Sequence, residues 1–414
     1  MATLTPLRVF ALVVTLPMVL CAQDPNASQA DLIRTLLARI DQLEKRVTEL
    51  EGKSPAAAAL TPPPTPPPEP GAVHDHGTVQ PSSAFPAMRL TGFSDINFSA
   101  TDQRGARSGF NEGQFILHIS SALSSRVSYF GELSIVARPD AGTGAPPAPG
   151  FNVEVERSII RFDQSDKLKV SFGRYHTPIN YFNTAYHHGA WLHTTISRPE
   201  MVQFGGSFIP VHFVGAQTEG ALPAGGLNLN YNAGIGNGRS TAINRSGDFG
   251  DINNNRAWLV NLFVKPDRLY GLQVGGSAYR DKITSVAGDF REWITSAHLV
   301  WNRENVEFLS EVANVHHEAI GPIKGSSNSI AYYLQGAYRL PSLEKSWKPY
   351  YRFEYIHIPR SDTLFRLVPS GHTNTVGLRY DLSSFAALKF EYRNVGRPGQ
   401  PRFHGAFAQT SFVF

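Results

Sequence analysis

The residues best placed to do chemistry lie between Lys167 and Pro199. This stretch holds Lys167, Lys169, Arg174 and Arg198 with His176, His187, His188 and His193, and no acid falls between Asp166 and Glu200. Guanidinium groups stay charged and imidazoles titrate near neutrality, so such a segment lining a narrow, wet space would attract anions. Arg157 and Arg161 precede it closely and are taken to point into the same space. The candidate lining is therefore Arg157, Arg161, Arg174, His176, His187, His188, His193 and Arg198. His187-His188 could also ligate zinc or copper. Adjacent residues on a strand point opposite ways, however. The expectation is solvated imidazoles or imidazoles tuning an anion path, with no bound metal or other cofactor.

Other chemistry is poorly supported. No G-x-S-x-G stretch occurs and no spacing picks out a nucleophile, base and orienting acid, so an enzyme is not expected. The 38 Lys and Arg against 34 Asp and Glu are spread along the chain, which argues against nucleic-acid binding. Cys21 is the only cysteine. It sits beside a plausible export-signal cleavage point at Ala22, after an apolar run from Val9 to Leu20 that is too short to span a bilayer. Residues 1–22 thus read as a signal peptide. Leu20 is bulky for lipid attachment at Cys21, and the processed chain would have neither a disulfide nor a cysteine-ligated zinc.

Residues 29–52 read as a coiled coil. Ile33, Leu36, Ile40, Leu43, Val47 and Leu50 fall at a and d spacing, with Arg39 and Arg46 at g and Glu44 and Glu51 at e. A lone amphipathic helix is the plainer alternative. Ile or Val at a with Leu at d favours dimers, whereas the repeated Arg-Ile/Val-x-x-Leu-Glu resembles a signature of trimers. Residues 53–87 are a linker. Its proline run from Thr61 to Pro70 would reach roughly 31 Å as polyproline II. The linker's His74-Asp75-His76 could hold a metal weakly, and a solvated loop is the better reading.

What must position the basic stretch lies in residues 88–414. Sixteen segments alternate apolar and polar residues between turn signals, near 88–101, 110–122, 126–138, 151–163, 166–176, 209–221, 224–237, 254–266, 268–282, 289–302, 304–317, 327–340, 347–359, 371–382, 385–396 and 405–414. Their length suits tilted strands crossing a bilayer. Short turns, such as Gln164-Ser165 and Ser383-Ser384, follow even strands, and longer connections, such as 139–150, 238–253 and 360–370, follow odd ones. On single strands, Trp293, Leu299 and Trp301 oppose Glu292 and His298, while Tyr351 and Phe353 oppose Lys348 and Arg352. A charged face common to many strands points to a closed all-β transmembrane barrel of about sixteen antiparallel strands with a water-filled lumen. Glu132, Glu307, Glu311 and Glu391 belong on that inner face. The last strand ends in Phe414, which resembles the recognition signal for the barrel-assembly machinery.

This pattern, with the run Val170-Ser-Phe-Gly-Arg-Tyr-His-Thr-Pro-Ile-Asn180, resembles the phosphate-selective porin O and P family of trimeric sixteen-stranded outer-membrane barrels. The resemblance implies that a long third loop, about Thr177 to Phe208, folds into the barrel and narrows it. It also implies passive diffusion of small, preferentially anionic solutes through a homotrimer in outer-membrane lipid. The family's ladder of lumen arginines does not map residue by residue onto this chain. A structural barrel tethered to a periplasmic partner, and an outer-membrane barrel enzyme, are the competing readings.

Overall fold

The computed structural model describes residues 86–137, 150–186, 188–204, 208–239, 243, 247, 250–322, 324–343 and 346–414. The signal peptide, the coiled coil with Ile33, Leu36, Ile40, Leu43, Val47 and Leu50, and nearly all of the linker lie outside them, as does His187.

Sixteen antiparallel strands form one closed ring in which each strand pairs with its sequence neighbours and β1 pairs with β16. They are β1 Ala87–Thr101, β2 Gly109–Ala122, β3 Val127–Ala137, β4 Phe151–Ser165, β5 Leu168–His176, β6 His212–Leu222, β7 Leu229–Asn237, β8 Ala257–Val264, β9 Leu272–Ser285, β10 Gly288–Asn302, β11 Val306–Ile320, β12 Ser326–Tyr338, β13 Trp347–His357, β14 Gly371–Asp381, β15 Ala386–Gly396 and β16 Phe403–Val413. A one-turn helix, α1 (Phe182–Ala185), lies in the connection between β5 and β6. Ring closure gives every strand a partner on both sides, which a backbone in hydrocarbon requires.

The two faces follow the sequence alternation. Phe172, Tyr351, Val376, Phe390 and Tyr392 are exposed on the outer face, while Glu292, Arg352, Glu354, Lys389 and Glu391 are buried inside. Trp293 and Trp301 share the outer face of β10, and Trp293 packs edge-on against Trp258 at 5.3 Å. The alternation of loop lengths holds only in part. The connections after β3, β5, β7 and β13 are long, but β9 and β10 are joined by residues 286–287 alone.

The lumen departs from the expected open, wet channel. Ile179, Phe182, Met201, Val202, Phe208 and Ile209, from the β5–β6 connection, pack against Leu259, Tyr279, Ile294, Tyr333 and Phe365 to form an apolar core inside the ring. A second connection also turns inward. Asp362, between β13 and β14, accepts from Ser329 Oγ at 3.0 Å and sits 2.9 Å from His317 Nδ1. His317 Nε2 lies 2.9 Å from Glu292, and Arg239 Nε donates to Glu292 at 3.0 Å. Arg239 also donates to the Phe208 carbonyl at 2.6 Å, so this chain of contacts ties three connections to the wall.

Candidate functional site

The basic stretch enters the barrel through a local device. Gly173 has φ +143°, and a Cβ there would sit 1.9 Å from the Ser158 carbonyl oxygen. Only glycine tolerates both. Beyond His176, Pro178 lacks an N–H, so the ladder cannot continue through it. Asn180 then adopts φ +62°, a conformation its short amide side chain tolerates. Its N–H donates to Ser277 Oγ at 3.0 Å across the lumen. Asn183 Nδ2 clamps the loop's two ends, donating to the carbonyls of Thr177 at 2.9 Å and Val211 at 3.0 Å.

The opposite wall then holds the loop by its backbone. Glu311 accepts from the N–H groups of Tyr181 at 2.8 Å and Phe182 at 2.6 Å. Glu391 accepts from Ile196 at 2.6 Å and Ser197 at 3.1 Å. Arg352 donates to the Ser197 carbonyl at 2.8 Å, Lys389 to that of His193 at 2.8 Å, and Arg379 to that of Trp191 at 2.7 Å. Lys348 and Thr194 both reach Glu307 at 2.7 Å. The lumen charges are on the inner face as the sequence pattern indicates. Those of β11 to β15 hold the loop.

The loop lies between two cavities. The larger, about 910 Å³, opens toward the end of the barrel that carries the β2–β3 and β4–β5 turns. Its charged lining is Arg89, Arg157, Arg161 and Lys265 against Glu219. Arg157 pairs with Glu132 and lies 4.3 Å over the Phe130 ring. Arg161 sits 2.8 Å from Asp163 and 3.6 Å from Glu219. The smaller cavity, about 330 Å³, touches the loop at Gly189, Ala190, His193, Ile196 and Arg198 and the wall at Asp95 and Glu112.

The structure brings together only part of the expected lining. Arg157, Arg161 and His176 reach the larger cavity. Arg174 does not. It lies on the same side of β5 as the exposed Phe172, opposite Ser171 and Tyr175, which line the cavity, and it pairs with Glu154 at 3.0 Å. Arg198 is buried, donates to the carbonyls of Val202 at 2.8 Å and Tyr186 at 3.2 Å, and stacks over Phe204 at 4.2 Å. Its charge stabilises the loop's own fold. His176, His188 and His193 are buried rather than solvated. Burial pushes the imidazole of His193 well below its ordinary value, with the nearby Lys389 adding to the effect, so this side chain stays neutral at pH 7. Arg89 and Lys265 were missed in the sequence because each lies alone at a strand end, far from the basic run.

No protein-family model matches the chain, and no curated protein matches it. Solved structures do. OmpF of Salmonella typhi, in a complex with daunomycin, aligns at TM-score 0.57 and 11% identity over 80% of this chain and 98% of that one. The outer membrane channel DcaP of Acinetobacter baumannii aligns at TM-score 0.56 and 11% identity over 79% and 97%. OmpT, an outer membrane protein of Vibrio cholerae, aligns in its trimer form at TM-score 0.51 and 13% identity over 79% and 99%. The likeness is one of fold, that of the sixteen-stranded outer-membrane porins. With its apolar outer face, the chain is a transmembrane barrel of the bacterial outer membrane.

Proposed function

We propose that the barrel is a non-enzymatic pore for passive diffusion of small hydrophilic solutes, with anions preferred. The observation that carries this reading is the lining of the 910 Å³ cavity, where Arg89, Arg157, Arg161 and Lys265 outnumber Glu219 and the partner acids Glu132 and Asp163. Like charges gathered in a narrow low-dielectric mouth raise the local concentration of the opposite ion. The loop supports the reading differently from the sequence expectation. It narrows the lumen by bulk, and the wall supplies the charge.

A homotrimer fits this reading, since one structural neighbour is a trimer form and the repeated Arg-Ile/Val-x-x-Leu-Glu from Arg39 to Glu51 resembles a trimer signature. Assembly through Phe414 and the barrel-assembly machinery belongs to the same proposal. Phosphate is one candidate among the anions, on the strength of the family resemblance carried by the run Val170–Asn180.

Reconstitution in planar bilayers tests the reading. The expected result is open channels whose reversal potential in a salt gradient favours the anion. Replacing Arg157, Arg161 and Lys265 together with Ala should shift that potential toward the cation. Closed membranes would end the pore reading, and an unshifted potential would end the assignment of these cations. Block by added phosphate, absent with sulfate, is the outcome expected of a phosphate path.

A further inference from the structure

Where β5 ends and β6 begins, the wall gives way to the inward loop, and five ligand-type side chains from five segments meet there. They are Glu132 of β3, Glu156 of β4, His176 of β5, His188 of the loop and His212 of β6. The donor atoms of Glu156, His176 and His212 all lie within 4.8 Å of one another, and so do those of Glu132, His176 and His188. His188 Nε2 is 3.3 Å and His212 Nε2 is 2.5 Å from the two oxygens of Glu156. His176 Nε2 is 3.5 Å from Glu132. Four of the five are buried, and the large cavity reaches His176, which gives an entry path.

We infer that this cluster is a binding site for one divalent transition-metal ion, with zinc as its simplest occupant, held by His176, His188, His212 and Glu156. Mixed imidazole and carboxylate donors are the set that zinc, cupric and nickel ions take. Tetrahedral zinc with bonds of about 2.0–2.1 Å needs donors roughly 3.3 Å apart. His188 and Glu156 stand at 3.3 Å, and His176, His212 and Glu156 lie within 4.8 Å of one another. The orientation of the rings agrees. His188 Nδ1 lies 3.3 Å from Gln114 Oε1, a carbonyl that can only accept, so that nitrogen carries the proton. The Nε2 of His188 faces Glu156 at 3.3 Å, a position from which both can ligate one cation. Gln114 thereby supplies the outer hydrogen bond that fixes the tautomer of metal-binding histidines. Arg157 and His118 both contact Glu132, which makes Glu156 the carboxylate ligand and leaves Glu132 as the nearby countercharge.

The site is independent of whether the barrel conducts, because metal content is read without transport. The test uses full-length, untagged protein extracted from membranes, stripped with a chelator and dialysed against zinc. A His74→Ala/His76→Ala background removes the linker pair. One zinc per chain is expected, and cobalt in its place should give the visible absorption of a four-coordinate site. His188→Gln with His212→Gln should abolish stoichiometric binding. Gln114→Ala should weaken affinity by about 10- to 100-fold, the usual cost of losing an outer partner. Heat-modifiable migration on gels shows that each variant is folded. Absence of zinc above the linker-free background, or unchanged affinity in the folded double variant, would overturn the site and leave proton-sharing ion pairs as the occupants of the cluster.

Discussion

At the scale of single residues, the chemistry of this barrel is set by what faces each charged group. Arg198 and Arg157 look alike in the sequence, yet one is wrapped by the loop's own carbonyls and the other borders the larger cavity. Gly173 shows the same dependence on surroundings. Its φ of +143° and the 1.9 Å approach of the Ser158 carbonyl leave no room for a side chain. Gly173→Ala is expected to destabilise the β4–β5 pairing by about 1–3 kcal/mol, the range for a strained backbone position. Urea titration followed by gel migration would check this, and wild-type stability would count against it. This glycine was legible in the sequence as part of the Gly-Arg-x-x-Thr-Pro run, although the reason for it was not. The inner faces of β10, β13 and β15 were equally legible, because a period of two is a local signal. The meeting of His176, His188 and His212 with Glu156 was not, since it depends on strand register, which sets His176 beside His212, and on loop re-entry, which brings in His188.

At the scale of elements, the two inward connections are held by charged groups of the wall, and one of them should respond to pH. Burial alone would raise the carboxyl of Asp362. The hydrogen bond and charge of His317, the Phe365 N–H and the Ser329 hydroxyl together outweigh it and hold the carboxyl below the ordinary aspartate value. A depressed carboxyl contributes stability that is fully present above its unfolded pKa and is lost as pH falls through its folded value. Docking of the 358–370 connection should therefore be intact at neutral pH and fail below the ordinary aspartate range. Hydrogen exchange of this segment, corrected for intrinsic rates, should rise between about pH 6 and about pH 3. Asp362→Asn should show raised exchange already at pH 6, and a pH-independent profile in the wild type would contradict the assignment. The strand boundaries read from sequence agree closely with the observed ones except near the start of β7 and of β9, where the turns at 223–228 and 265–271 are longer than the expected segments allowed. The docking of the loops left no sequence signal, because each anchor joins residues far apart in the chain, such as Glu391 and Ile196.

At the scale of the whole molecule, the ring of sixteen strands is complete within Ala87–Val413. Its strands find both neighbours without residues 23–86. Deleting those residues should leave a heat-modifiable barrel with unchanged single-channel conductance and a weakened trimer. Cross-linking and gel migration would separate these effects, and a deletion variant that fails to fold would show that the segment contributes to the barrel itself.

The seam of the ring carries a consequence of its own. Phe93 pairs with Val413 and Thr101 with Gly405, while the N–H and carbonyl of Gly92 bond to Phe414 at 2.7 and 2.9 Å. The earliest strand of the barrel to be synthesised thus waits for the last. A chain that stalls or is clipped before β16 keeps two bare edges, whatever the quality of its other pairings. The membrane tolerates no bare edge. Closure at this seam therefore makes the last strand as necessary as the first: a molecule without β16 leaves β1 and β15 unpaired along one edge each.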